Sequence, residues 1–165
     1  MPNIVLTSFT ERDSDTYFKW INNPINMAGL DRVLPVTQQE HDLWYQNLVQ
    51  DRSRVAFSIN ITNQSSIGMV SLNQIDWRHG KAEVRILIGA EGSLSKGFGK
   101  EALKSISSFS FYKLGLHKLY AYILENNIAS IKAFEGSGFI QEARLKKDRL
   151  SNGEFIDVFI YSKWK

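Results

Sequence analysis

The segment from Ala82 to Lys104, AEVRILIGAEGSLSKGFGKEALK, constrains the fold of this chain more than any other. Apolar and polar residues alternate up to Ile88, a pattern typical of a strand with two different faces. From Ala102 onward apolar residues recur at helical spacing. The glycine-containing loop between them, Ser95–Lys100, lets the backbone approach a ligand closely, and the first N–H groups of the helix stay unpaired. This succession predicts an anion-binding site.

Two familiar phosphate-binding loops can be tested against this segment. The nucleotide P-loop requires Ser or Thr after Gly-Lys, and Glu101 follows Lys100 here, which excludes that loop. The dinucleotide fingerprint is satisfied formally by Gly97, Gly99 and Ala102, but no βαβ unit with an acidic residue at the right distance follows it. A NAD-binding oxidoreductase and a loop that only turns the chain therefore stay open as alternatives.

A second segment, Glu125–Phe139 (ENNIASIKAFEGSGF), predicts a short helix that begins at Asn126 or Asn127 and ends at glycines before a new strand. Leu94–Gly99 and Asn127–Phe139 together resemble the GNAT superfamily of acetyl-CoA-dependent N-acetyltransferases. In that family the pattern Gln/Arg-x-x-Gly-x-Gly/Ala binds the pyrophosphate of coenzyme A. The later pattern Asn-x-x-Ala-x-x-x-Tyr-x-x-x-Gly-Phe forms the other wall of the cofactor cleft.

The resemblance implies an α/β (α+β) fold: a single GNAT-like domain over residues 1–165, with a mixed, mostly antiparallel sheet flanked by helices. It also implies acetyl-CoA as the acetyl donor. The residues expected to contact this cofactor belong to the loop, to the end of the preceding strand and to the second helix; they are Leu87, Ile88, Leu94, Ser95, Lys96, Gly97, Phe98, Gly99, Lys100, Asn127 and Phe134.

Two positions depart from the family pattern. Leu94 stands where the family has Gln or Arg, so only the backbone N–H groups of the loop remain for the phosphates. Phe134 stands where many members have the Tyr that protonates the departing thiolate, and a phenyl ring has no proton to give. Its helical spacing after Ile131 indicates a core residue. A CoA-binding module without turnover is therefore an alternative hypothesis.

Acetyl transfer requires a group that removes a proton from the amine and donors that stabilise the oxyanion. Glu83 is the leading candidate for the base, because it lies on the cofactor strand where the family carries a Glu. A salt bridge with Arg85 is an alternative of equal weight. The N–H group of Leu87 or Ile88, where the strand parts from its neighbour in this family, is the expected donor to the thioester carbonyl.

The expected acceptor is a small-molecule amine. Trp20–Pro24 and Thr37–Leu48 resemble the substrate-side segments of two GNAT branches, the ribosomal-protein N-terminal and polyamine acetyltransferases and the acetyltransferases of nucleotide-linked amino sugars. Too few carboxylates occur nearby to favour a polyamine, so an amino sugar is the preferred acceptor and a polyamine or protein N-terminus the alternative. The candidate acceptor residues are Trp20, His41 and Trp44, with Arg78 and His79 meeting a diphosphate.

Composition limits the other function classes. The chain of 165 residues, 43% of them hydrophobic, can bury one full core. It has no cysteine, which excludes disulfides and favours a reducing compartment. We expect a cytoplasmic protein without a membrane partner, because the N-terminus lacks signal-peptide features and no segment is long enough to span a bilayer. The net charge of +3 does not indicate nucleic acid, and the three histidines lack metal-ligand spacing. A homodimer is left open.

The remaining pattern predicts the order of elements as a strand, two helices, an antiparallel meander, a helix, a strand, a helix and a closing hairpin. Thr37–Glu40 matches a capping box that starts the second helix. The charged run Arg144–Arg149 favours a solvated face, with an acidic partner or a docking site for phosphates on a substrate as the alternatives. Breaks and turns are expected at Asn23-Pro24, Asn63–Ser66, Arg78–Lys81 and Ser151–Gly153.

Overall fold

The computed structural model of the chain describes residues 3–62 and 65–165. Strands and helices follow one another in the order β1 (Ile4–Ser8), α1 (Glu11–Ile21), α2 (Pro24–Gly29), α3 (Gln38–Gln50), β2 (Val55–Ile61), β3 (Ser66–Asp76), β4 (Lys81–Ile88), α4 (Phe98–Tyr112), β5 (Lys118–Leu124), α5 (Ile128–Gly136), β6 (Ile140–Ser151) and β7 (Glu154–Trp164).

All of these strands form one sheet with the order β1-β2-β3-β4-β5-β7-β6. Every neighbouring pair is antiparallel except β4 and β5, which are parallel. The prediction of a mixed, mostly antiparallel sheet flanked by helices is therefore confirmed. The parallel pair sits in the middle of the order because α4 carries the chain across one face of the sheet between β4 and β5.

The central parallel pair is short. Lys81, Ala82 and Glu83 pair with Lys118–Tyr120, and no later residue of β4 pairs with β5 among those described. On its other side β4 stays paired with β3 as far as Ile88. The two central strands therefore part after Glu83, and a gap opens between them towards the end of β4.

The two faces of β4 meet different surroundings. Ala82 and Val84 belong to the main hydrophobic core, together with Leu103 and Ile106 from α4. Residues of the other parity, such as Glu83, lie on the opposite face of the sheet, because successive side chains of a strand alternate. The apolar residues at alternate positions of the strand thus attach it to α4, as the sequence pattern predicts.

The segment between α1 and α3 differs from the prediction. We expected Asn23-Pro24 to break the chain, whereas Pro24 is the first residue of α2, a helix absent from the predicted order. Asn23 caps it, because its side-chain oxygen accepts a hydrogen bond of 2.9 Å from the Ile25 N–H group. Proline has no N–H to leave unpaired and a fixed φ suited to a first helical turn, so the same dipeptide ends one helix and starts another.

Other boundaries follow the sequence closely. Thr37 and Glu40 form the predicted capping box at the start of α3. Ser66 is the first residue of β3 rather than part of a turn, and this strand continues to Asp76. Of the other residues of the predicted turn, Asn63 and Gln64 lie outside the described residues, and Ser65 directly precedes the strand. Within the described part of the chain, no helix is long and apolar enough to cross a membrane.

Gly68 provides a test of the β3–β4 contact on which the gap depends. A Cβ atom at this position would lie 2.2 Å from the Leu87 carbonyl oxygen and 3.1 Å from the Ile88 Cα, both backbone atoms that cannot turn aside. We expect Gly68→Ala to lower the free energy of unfolding by about 1–3 kcal/mol, the usual cost of overpacking, in urea titrations.

Gly29→Ala is the matched control, since the nearest atom to its Cβ would be the Asn127 Nδ2 at 3.5 Å, an ordinary contact. Its free energy of unfolding should stay within about 0.5 kcal/mol of the natural chain. Equal stability of the two variants would show that β3 and β4 can separate without cost.

Candidate acetyltransferase site

A cavity of about 560 Å³ occupies the gap between β4 and β5. Val84–Leu87 line it from β4, Ala121–Leu124 from β5, and Asn127, Ser130 and Phe134 from the start and body of α5. Tyr17 and Trp44 line it from the helices on the other face of the sheet. The cavity therefore connects the α5 side of the sheet with the α1–α3 side, and none of the predicted loop residues from Leu94 to Lys100 lines it.

The N-terminus of α4 lies at the end of the predicted loop. Gly97 is its N-cap, with a φ of 82° in the left-handed region that favours glycine, and no side chain caps the helix. The N–H groups of the first turn, from Phe98 onward, are therefore without a side-chain acceptor. Leu94 is 52% exposed and offers no polar atom. Backbone N–H groups and the helix dipole are what this loop can offer an anion.

Gly99 is not required by the packing of the protein itself. A Cβ atom there would lie 3.8 Å from both the Ala133 Cβ and the Ile88 Cγ1, which is ordinary van der Waals distance. Its φ is outside the positive range, unlike that of Gly97. The protein's own packing therefore does not explain glycine at this position, and a contact with the cofactor stays a prediction.

The backbone of β4 presents one set of its polar groups to the gap. The Gly89 N–H group donates to the Ile67 carbonyl at 2.9 Å, and residues of an antiparallel pair alternate between facing and turning away from the partner strand. Leu87 has the parity of Gly89 and faces β3, so Ile88 and Ile86 direct their N–H groups towards the gap. This alternation favours Ile88 over Leu87 as the expected donor to the thioester carbonyl.

Two predicted residues of α5 occupy the cavity wall. The Asn127 side chain accepts a hydrogen bond from the Ser130 N–H group at 3.2 Å and donates to the Gly29 carbonyl at 3.4 Å. Phe134 is 3% exposed and packs edge-on against Phe139, with ring centroids 5.0 Å apart. Phe134 is thus a core residue, as its spacing indicates, whose ring also forms part of the cavity.

Glu83 faces the cavity and is already paired. Its two carboxylate oxygens accept hydrogen bonds from the Arg85 Nε at 2.9 Å and from the Arg85 Nη2 at 3.0 Å, and only 7% of the Glu83 side chain is exposed. These hydrogen bonds raise the pKa of Arg85. The salt bridge, one of the two roles considered for Glu83, is therefore present, and a role as base stays a prediction.

A smaller cavity of about 380 Å³ adjoins the first, and Tyr17, Arg32 and Trp44 line both. Trp44 therefore lies where an acceptor residue was predicted. His41 lines only the smaller cavity and is 2% exposed.

His41 behaves as a core histidine. Its Nε2 lies 3.0 Å from the Ser14 carbonyl oxygen and 2.8 Å from the Ser14 hydroxyl. A carbonyl oxygen only accepts, so Nε2 carries the proton of this contact. The ring stacks on Trp44 at a centroid distance of 5.2 Å, and burial lowers the pKa of His41. These contacts explain the residue without a ligand.

Three other predicted acceptor residues lie away from both cavities. Trp20 packs against the chain at Gly89, where a Cβ atom would fall 2.3 Å from the indole Cγ. Arg78 and His79 belong to the turn between β3 and β4, at the end of β4 remote from the gap, and His79 pairs with Asp76 at 2.8 Å. Arg78 and His79 therefore lie outside both cavities, and their contact with a diphosphate stays a prediction.

Two arginines outside the predicted set of acceptor residues line the larger cavity. Arg32 comes from the loop after α2, and Arg149 from the end of β6, where it pairs with Asp31 at 3.1 Å. The loop has no periodic pattern that predicts which way Arg32 faces. The charged run was assigned to solvent, and a register shift between Leu145 and Arg149 alters which side chains face the cavity.

A mixed sheet whose central parallel strands part beside a glycine-led helix N-terminus defines a class of CoA-dependent acyltransferases. The acetyltransferase (GNAT) domain family matches residues 3–140, and the chain belongs to this family. Acetyl-CoA is the acetyl donor of the family, and the chain is a GNAT-type acetyltransferase domain.

Similar proteins include polyamine acetyltransferases. The chain is 30% identical over 114 residues to a spermidine N(1)-acetyltransferase of Vibrio cholerae serotype O1, a match that covers 69% of this chain and 65% of that protein. It is 29% identical over 161 residues to an N-acetyltransferase 9-like protein of Nematostella vectensis, covering 88% and 79%. The crystal structure of a Vibrio cholerae spermidine N-acetyltransferase with CoA and spermine superposes with a TM-score of 0.91 at 25% identity, covering 98% of this chain and 95% of that one.

The structural role of His41 predicts a pH dependence of stability. Burial lowers the pKa of His41 from its usual 6.5, so below that pH the unfolded chain binds a proton that the folded chain does not. The stability that neutral, buried His41 contributes is therefore fully present above about pH 6.5 and is lost as the pH falls towards the folded-state pKa of His41. We expect the free energy of unfolding, measured in urea titrations at about pH 7.5 and pH 5.5, to fall less between these pH values in His41→Gln than in the natural chain.

His117→Gln, at an exposed position, is the control and should keep the pH dependence of the natural chain. If His41→Gln lost as much stability between the two pH values as the natural chain, proton uptake at His41 would not be the cause.

Proposed function

We propose that this domain transfers the acetyl group of acetyl-CoA to a primary amine of a small molecule in the cavity between β4 and β5. The observation that carries the proposal is the parting of these strands after Glu83, next to an uncapped helix N-terminus. This arrangement supplies unpaired backbone donors along one edge and an anion site at its end.

The described residues fit coenzyme A in three respects. Gly97 begins α4 without a side-chain cap, a Cβ atom at Gly99 would meet only ordinary van der Waals contacts, and Ser95–Lys100 can contribute backbone N–H groups to a pyrophosphate. The gap beside β4 gives room for an extended chain that pairs with backbone. Ile88 directs an N–H group to the gap, where a thioester carbonyl needs a donor. When bound, acetyl-CoA supplies the activated thioester.

The acceptor amine must lose a proton to react. Glu83 lines the larger cavity on its α1–α3 side, and we infer that it assists this deprotonation directly or through a water molecule. Because Arg85 engages both carboxylate oxygens, an approaching amine or water has to share them with the guanidinium. The amine therefore approaches from the side of α1 and α3.

The residue at position 134 cannot protonate the departing thiolate. Phe134 has no titratable group, so the proton comes from water or from the amine itself. A thiol has a pKa near 8.5, so its thiolate is a fair leaving group at neutral pH without a general acid. Turnover is therefore compatible with Phe134, and a silent CoA-binding module remains the alternative.

The class of amine is the finer part of the proposal. The sequence favours a nucleotide-linked amino sugar, whereas the names of the relatives support a polyamine more than an amino sugar. A protein N-terminus is a further alternative. The homodimer stays a prediction.

The loop assignment is tested by substituting Gly97. A β-branched residue is strained at a positive φ, so Gly97→Val should displace the N-terminus of α4 and weaken acetyl-CoA binding by about tenfold or more, measured by calorimetric titration. Gly92→Val is the matched control, because Gly92 also has a positive φ, of 74°, and has open space around it in the same loop.

Both variants introduce comparable backbone strain, but only Gly97 begins the helix. Equal losses of affinity would assign the effect to general loop disorder, and unchanged affinity in Gly97→Val would contradict the pyrophosphate site.

The activity is tested by thiol release from acetyl-CoA with nucleotide-linked amino sugars, polyamines and N-terminal peptides. One of these classes should be acetylated by the natural chain. With that amine, Glu83→Gln should lower kcat by about 10²–10⁴-fold at neutral pH and less at high pH, where free amine is already abundant.

Glu142→Gln is the control, since Glu142 also forms an ion pair, with Lys118 at 2.8 Å, and lines neither cavity. Near-normal turnover of Glu83→Gln would leave that residue with its salt bridge alone. Tight acetyl-CoA binding without transfer to any of the amines would make the chain a binding module.

A further inference from the structure

The charged side chains around the two cavities differ in whether they have ion-pair or hydrogen-bond partners within the protein. The carboxylates that line them are Asp31, Glu40 and Glu83. Asp31 pairs with Arg149 at 3.1 Å, and Glu83 accepts hydrogen bonds from the Nε and Nη2 of Arg85.

Glu40 is occupied as well. Its Oε2 accepts hydrogen bonds from the Thr37 N–H group at 2.8 Å and from the Thr37 hydroxyl at 2.9 Å in the capping box of α3. These hydrogen bonds lower the pKa of Glu40. Asp31 and Glu83 are therefore paired with arginines, whereas Glu40 is hydrogen-bonded to a neutral residue and keeps its negative charge, on which the charge of Arg32 also acts.

Arg32, by contrast, has no ion-pair partner among the described residues. Within residues 3–62 and 65–165 it is the one arginine of the cavity walls that forms no ion pair. It lines both cavities, and its backbone N–H group donates to the Met27 carbonyl at 3.0 Å, which fixes the loop after α2. The guanidinium is thus available at the junction of the two cavities.

The surroundings of Arg32 place its charge beside the acceptor side of the site. Burial raises the pKa of Tyr17 to about 12, and the positive charges of Arg32 and Arg85 oppose that rise. Tyr17 and Trp44 stack with their ring centroids 5.3 Å apart and line both cavities with Arg32. An acceptor that reaches the region of Glu83 from this side passes the guanidinium.

We propose that the acceptor amine belongs to a molecule with an anionic group, a phosphate or a carboxylate, and that Arg32 binds this group while the amine lies near Glu83. The inference rests on the proposed acetyl transfer. An arginine can bind either anion through two parallel hydrogen bonds, which would orient the acceptor as well as attract it.

A polycation fits these charges poorly. It would meet an unpaired guanidinium, and two of the three carboxylates, Asp31 and Glu83, are already paired with arginines, which leaves Glu40 alone to attract it. The names of the relatives point to spermidine, so the acceptor side of this chain is where we expect it to differ from them.

The experiment compares acceptors that share an amine and differ in the anion. Thiol release is measured with a free amino sugar, with its 6-phosphate and with its nucleoside diphosphate conjugate. The same assay is run with an amino acid and its amide, and with spermidine. The natural chain should prefer the anionic member of at least one pair, and which pair shows the preference distinguishes phosphate from carboxylate. Arg32→Gln should lower kcat/KM for that member by about 10- to 100-fold, and should lower kcat/KM for its neutral counterpart by less.

Two variants make the result specific to the guanidinium. Arg32→Lys keeps the charge and should recover part of the loss, whereas Arg52→Gln, in the turn before β2 and outside both cavities, should change nothing.

A binding measurement separates this inference from the proposed activity. With acetyl-CoA present at saturation, uridine diphosphate and a dicarboxylate are titrated calorimetrically into the natural chain and into Arg32→Gln.

Loss of binding in Arg32→Gln would support the anion site even if no amine were acetylated. Preference for spermidine over every anionic acceptor, or equal kcat/KM of the natural chain and Arg32→Gln for the anionic members, would overturn the inference while leaving acetyl transfer intact.

Discussion

The site depends on the place where β4 and β5 stop pairing. Their contact involves Lys81–Glu83 of one strand and Lys118–Tyr120 of the other. Backbone N–H and C=O groups that face a neighbouring strand are normally satisfied by it, and buried unpaired groups are costly. Beyond Glu83 the edge of β4 instead faces an open cavity. A longer parallel ladder would satisfy the same groups within the sheet and would leave no room for an acyl chain.

The pairing of β4 with β3 on its other edge allows β4 to part from β5 while it stays fixed in the sheet. β3 pairs with β4 as far as Ile88, and Gly68 allows the two backbones to approach closely there. Apolar side chains such as Val84 hold the same strand against α4. β4 is therefore fixed by β3 on one edge and by the core on one face, so that its remaining edge can stay free without the strand becoming loose.

Glu83 shows how one contact serves two purposes. A nearly buried carboxylate without a partner would be strongly destabilising, and the bidentate Arg85 meets this requirement. The same pairing fixes both oxygens in orientation at the cavity wall. Removing either residue entirely would therefore change stability together with the proposed role of Glu83 as base, and a substitution that keeps the shape of the carboxylate is the informative one.

The sequence predicted the parts of this arrangement that rest on local patterns. Alternation identified β4, the glycine loop located the start of α4, and Asn127–Phe139 located α5 and the buried Phe134. These features depend on residues close together in the chain.

Features that depend on distant residues were not predicted. Trp20 faces Gly89 across the fold, and Arg32 reaches the cavity from a loop without periodicity. Arg78 is close to β4 in sequence but lies at the wrong end of that strand. Which residues gather around the acceptor is set by how the α1–α3 segment crosses the sheet, and no local pattern encodes that.

The amide of Asn127 links the two sides of the cleft in a way that bears on enzyme kinetics. Its oxygen holds the first turn of α5 through Ser130, and its nitrogen holds the Gly29 carbonyl of the segment that leads to Arg32. A ligand that shifts α5 therefore also shifts the loop that carries Arg32. On the proposed function, the dissociation constants of donor and acceptor should be thermodynamically coupled through this side chain, and a change of Asn127 should appear in both constants together rather than in either alone.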